Sequence, residues 1–229
     1  MRCAGARQAR GLASLLCSLL ALFATVQAAI ATDTASDEVR LRARLAPEVA
    51  QQVLAIVRGA RAAALPADPL VARALEGASR GVDAAGIVAG VRRQAAALAQ
   101  ARGALGTAAP ADEIVAGASG LMAGVPADSL VRLRAARAGG SLVIPLVVLC
   151  DLVARGVPVD AASVTVLIAA RAGATDLTLL RIRERIHARI EDGGAPAGTA
   201  GEVIQQWLRE GPGRSRRGAE PPAGRSRLR

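Results

Sequence analysis

Only one histidine and three cysteines occur in the 229-residue chain, which narrows the chemistry it can do. A serine or cysteine nucleophile needs a neighbouring base. His187 lies inside RIRERIHARIED (181–192), where helical spacing puts it on the flank of an amphipathic helix. Cys150 follows LVIPLVVL (142–149), the setting of a buried small hydrophobe rather than a reactive thiol. Metal binding calls for clustered His, Cys or carboxylate ligands, and no such spacing is present. Two carboxylates could work without histidine, as in glycoside hydrolysis. However, Asp68, Asp112, Asp128, Asp160 and Asp176 all stand at expected helix starts, where a capping role accounts for them. Aromatic residues, the usual furniture of sugar sites, make up 1% of the chain. No glycine-rich loop follows an expected strand, so a phosphate-binding motif is absent as well. The expectation is a protein with no catalytic residues, cofactor or metal.

Binding chemistry is better represented. Arg181, Arg185 and Arg189 follow one another at four-residue spacing, either as a solvated helix face paired with Glu184 and Asp192 or as a candidate anion-binding strip. Arg214, Arg216 and Arg217 extend the candidate anion-binding set into GPGRSRRGAEPPAGRSRLR (211–229). Trp207 is the one tryptophan, with two readings: core filler that docks the last helix, or anchor for a partner.

The elements that carry these residues are announced by a repeated hexapeptide: PADPLV (66–71), PADEIV (110–115) and PADSLV (126–131). Proline, aspartate and two aliphatics form a loop-to-helix junction. Related junctions occur at LAPEV (45–49), VDAAGIV (82–88), VPVDAASV (157–164) and ATDLTLL (174–180). Counted from Pro47, Pro66, Asp83, Pro110, Pro126, Pro158 and Thr175, several steps are 16 or 17 residues, and the longest, 32, divides at a degenerate start near Gly140 and Ser141. Such a step holds a helix of about 12 residues and a turn of about four. Helices this short bury their apolar stripes only by stacking, so the fold class expected is all-α: a helical repeat of short antiparallel helices.

Individual stripes support this. Between Asp68 and Arg80, Leu70, Val71, Ala74, Leu75 and Ala78 share one face, with Asp68 as cap and Pro69 in the first turn. Leu179, Ile182, Ile186 and Ile190 form another stripe behind a cap at Asp176, and Thr199 and Glu202 have capping-box spacing ahead of Val203, Ile204, Trp207 and Leu208. LVIPLVVLCDLV (142–153) reads as a central core helix with Pro145 in its first turn. AQARGALGTAA (99–109) reads as a long connection, with continued helix through Arg102 as the alternative.

The domain plan expected is a signal peptide over 1–31, a helical-repeat domain over 32–210 and a disordered arginine-, glycine- and proline-rich tail over 211–229. Arg2, Arg7 and Arg10 precede an apolar run over 11–26, followed by Val26-Gln27-Ala28 and Ala29-Ile30-Ala31. Cleavage after Ala28 or Ala31 and retention as an anchor are both open; cleavage would leave no membrane-spanning segment. The implied location is periplasmic or secreted. Most of the formal +10 belongs to the two ends, and all 29 basic residues are arginine. Without aromatics among them to stack on bases, nucleic acid is an unfavoured partner. The function expected is a non-enzymatic helical-repeat binding or scaffold protein of the bacterial-type cell envelope, with a protein as partner. The alternative is a protein that associates with anionic lipid or envelope polymer through its arginine tail.

Overall fold

The computed structural model describes residues 35–211. The signal segment and the tail expected from the sequence, with Arg214, Arg216 and Arg217, lie outside these. Among the described residues there are ten helices and no strand. In order they are α1 (35–44), α2 (Pro47–Ala62), α3 (Asp68–Ser79), α4 (Ala84–Leu105), α5 (Ala111–Met122), α6 (Ala127–Ala136), α7 (Val143–Ala154), α8 (Val159–Arg171), α9 (Asp176–Glu191) and α10 (Pro196–Glu210). No helix among the described residues is long and apolar enough to cross a membrane.

The described residues divide into two compact units, one built from 35–59 with Leu70–Arg92 and the other from Ala60–Pro69 with 93–211. In the first, Leu41 of α1, Val53 and Val57 of α2, Leu70 of α3 and Val91 of α4 are fully buried. Gly77 lets α3 approach α4 closely, since a Cβ there would meet Ile87 Cγ1 at 3.0 Å. In the second unit, α5, α7 and α9 pack in sequence as one row and α6, α8 and α10 as another, with α7 against α8 and α9 against α10 between the rows. The starts at Ala111, Ala127, Val143 and Val159 are 16 residues apart and Asp176 follows 17 later, so the degenerate junction near Gly140 does open a helix.

What repeats is the corner between helices. Gly124, Gly156 and Gly173 end α5, α7 and α8 in the left-handed region, at φ of 92°, 87° and 75°. The next residue then turns its N–H back into the helix: Val125 to Gly120 O at 2.9 Å, Val157 to Leu152 O at 3.0 Å and Ala174 to Ala169 O at 2.9 Å. This is the Schellman arrangement, in which carbonyls at the helix end gain donors and an aliphatic residue tucks under. Val125, Val157 and Ala174 are that residue, and all three are buried. The following residue, Pro126, Pro158 or Thr175, is the N-cap of the next helix.

The corner corrects the capping scheme. Pro110, Pro126 and Pro158 occupy the N-cap with extended ψ and no side-chain cap. Asp112, Asp128 and Asp160 therefore fall in the first turn, where they meet the positive end of the helix dipole. Asp112 Oδ1 accepts from Glu113 N at 2.9 Å, within that turn. Asp68 and Asp176 are themselves the first helical residues. Side-chain capping occurs at Asp83, whose Oδ1 accepts from Gly86 N at 3.0 Å, and at Thr175, whose hydroxyl accepts from Thr178 N at 3.2 Å.

Two boundaries also move. α10 starts at Pro196 with Ala195 as N-cap, so Thr199 is a buried residue inside the helix instead of the first member of a capping box. α4 runs on to Leu105 because Ala97, Leu98, Ala101 and Leu105 keep a buried face at helical spacing; the connection expected over 99–109 shrinks to 106–110.

Candidate binding surface

The second unit contains a polar bracket that sets the spacing of α5, α6 and α7. Glu113 on α5 is buried, and its Oε1 accepts from Leu142 N, the N-cap residue of α7, at 2.8 Å. Its Oε2 accepts from Arg134 Nη2 of α6, and Arg134 Nη1 donates to Gly140 O at 3.1 Å. One carboxylate thus satisfies an α7 N-terminal donor and neutralises a guanidinium, the condition under which a buried charge is tolerated.

Held by this bracket, α5 and α7 leave an open groove of about 640 Å³ along their seam. Val115 and Ala116 line it from α5, and Val143, Val147, Cys150 and Ala154 from α7. Val147 is 42% exposed, unusual for a valine in the middle of so apolar a helix. Asp112 and Asp151 stand at the rim together with Ser119. Asp112 has no cationic partner among the described residues, whereas Asp151 Oδ2 lies 3.2 Å from His187 Nε2 and 3.7 Å from Arg183 Nε on α9.

Cys150 and Asp151 both line the groove, and His187 reaches Asp151 from α9, yet the electrostatics oppose nucleophilic use of the thiol. Burial, and then the charge of Asp151, push the Cys150 thiol above its ordinary pKa. A catalytic cysteine is activated in the opposite direction. Cys150 is half-buried rather than sealed in the core, because its side of α7 faces the groove. Among the described residues no group of three or more His, Cys, Asp or Glu could hold a metal ion.

The arginine row is taken up largely by α10. Arg185 donates to both carboxylate oxygens of Glu210, at 3.2 and 3.3 Å, and Arg189 reaches Glu202 at 3.5 Å and Gln206 at 2.9 Å. These partners replace the expected Glu184 and Asp192. Arg181 alone of the three has no polar partner among the described residues and stays exposed. Trp207 is only 4% exposed, among the buried residues of α10 with Val203 and Ile204, so it serves the core in this state.

Glu113, Arg134 and Val147 were not evident as functional positions from the sequence. One signal was available: PADEIV places a glutamate where PADPLV and PADSLV have proline and serine. No protein-family model, curated protein or solved structure matches this chain.

Proposed function

We propose that this protein is a non-enzymatic helical-repeat binding module, exported to the cell envelope or beyond, that holds a peptide segment of a protein partner in the α5–α7 groove. The observation that carries this reading is an apolar seam, open to solvent and lined by Val115, Val143 and Val147, with carboxylates at its rim. Stacked short helices offer such seams as extended recognition surfaces. The apolar lining supplies affinity, and Asp112, which no guanidinium neutralises among the described residues, selects for charge. The matching ligand is a segment with aliphatic side chains next to an arginine or lysine. The raised Cys150 pKa fits a role in lining the groove rather than in chemistry.

Panning a random twelve-residue peptide library against the protein, with V147D as counter-target, tests the reading. A consensus of aliphatic residues flanked by a basic one, lost on V147D, is expected. A consensus of another character, or one retained by V147D, would overturn it.

A further inference from the structure

The first unit holds a second concavity of opposite character. Val39, Arg40, Ala43 and Arg44 of α1 and Leu75, Ala78 and Ser79 of α3 line a cleft of about 590 Å³. Its floor is aliphatic, and both its charged residues are arginine. Arg44 has no carboxylate partner among the described residues, and Arg40 pairs with Asp37 at 3.4 Å. Glu76, one turn before Ser79, is held by Arg73 at 3.2 Å and Arg80 at 2.9 Å, so it does not neutralise Arg44. Val39 is 68% exposed at the lip, an apolar cost in water that an apolar ligand would remove.

We propose that the α1–α3 cleft binds a single-chain anionic amphiphile, its aliphatic chain on Val39, Ala43, Leu75 and Ala78 and its anionic head on Arg44 and Arg40. The size argues for a small ligand: the cleft falls within the range of small-molecule sites, while a docked protein would need roughly 800 Å² on this side. The sign argues for an anion, because a guanidinium gives charge-assisted hydrogen bonds to a carboxylate or phosphate. The two concavities are of similar volume, and the ligand differs from the peptide of the α5–α7 groove in charge.

The test is calorimetric titration of the full chain with laurate, kept below its micelle concentration, beside dodecyltrimethylammonium, which keeps the chain and reverses the charge. Phosphatidylglycerol vesicles form a third arm that separates a free acid from a lipid headgroup. Laurate should bind saturably at one site, and dodecyltrimethylammonium should not. R44Q, an exposed change, should weaken laurate about tenfold, the scale of one charged hydrogen bond. R42Q should leave binding unchanged, because Arg42 already pairs with Glu38 at 2.5 Å. Vesicles that compete with laurate for the wild type but not for R44Q would assign the same site to a headgroup. Equal binding of the two detergents, indifference to R44Q, or vesicle binding without laurate binding would overturn the proposal.

Discussion

The α5–α7 groove and the α1–α3 cleft are both aliphatic troughs between short helices, yet one is rimmed by Asp112 and Asp151 and the other by Arg40 and Arg44. The apolar parts are nearly interchangeable, being valine, alanine and leucine. In the proposed reading, a difference in partner choice comes from a few rim charges, which cost the fold little because they stay in solvent. The two also differ in support. The groove stands on a buried carboxylate bracket that joins three helices, whereas the Arg40–Asp37 and Arg73–Glu76 pairs beside the cleft each join residues one turn apart on one helix. A bracket across helices fixes groove width; local pairs leave it to apolar packing.

Removing the bracket should have the largest effect. Glu113→Ala leaves Arg134 and the Leu142 N–H without their shared acceptor and should cost about 3–5 kcal/mol. Glu113→Gln keeps an acceptor for Leu142 N and should cost about 1–3 kcal/mol. Urea unfolding of the two variants gives both figures, and equal losses would show that the carboxylate charge is not what matters. Next come the corners that set the sixteen-residue step. Gly124→Ala puts a Cβ on a residue at φ of 92° and should cost about 1–2 kcal/mol in the same assay.

Ala64 sharpens the contrast, since it is the one non-glycine residue among those described with positive φ, at 52°. Ala64→Gly should be neutral or stabilising by less than about 1 kcal/mol, as relief of left-handed strain is offset by glycine's larger unfolded-state entropy. A loss of stability there would contradict the corner account.

The smallest effect concerns the seam between α9 and α10. The hydrogen bond from Arg185 holds the Glu210 carboxyl below its ordinary pKa, aided by the Arg185 charge and by Gln206. A carboxyl depressed in the folded state adds stability above its unfolded pKa and loses it as pH falls through the lower native value. Exposure and salt keep the contribution small. Trp207 fluorescence during acid titration should show a loosening step below the usual glutamate range, and Arg185→Ala should remove it.

The helices were legible because proline and aspartate act locally. Pro110, Pro126 and Pro158 restrict their own backbone, so a helix start near each could be read without knowing its neighbours. The same proline hid the capping detail: it takes the N-cap itself and moves the aspartate two residues into the helix. α4 was underestimated because 99–109 has the composition of a linker, and only tertiary packing reveals Ala101 and Leu105 as buried. The bracket and the groove were not legible, since Glu113 meets Leu142 across 29 residues and the groove depends on α5 packing against α7, two helices on. Spacing identifies a helix face but not the helix that will cover it.

The α5–α7 groove is tested most directly through Cys150, a half-buried residue of its lining. Alkylation of Cys150 in residues 32–229 should be slow at neutral pH because the thiol is held above its ordinary pKa. The selected aliphatic and basic peptide should slow it further in a saturable way, and V147D should abolish that protection. Peptide binding that leaves the Cys150 rate unchanged would place the recognition surface elsewhere and contradict the account.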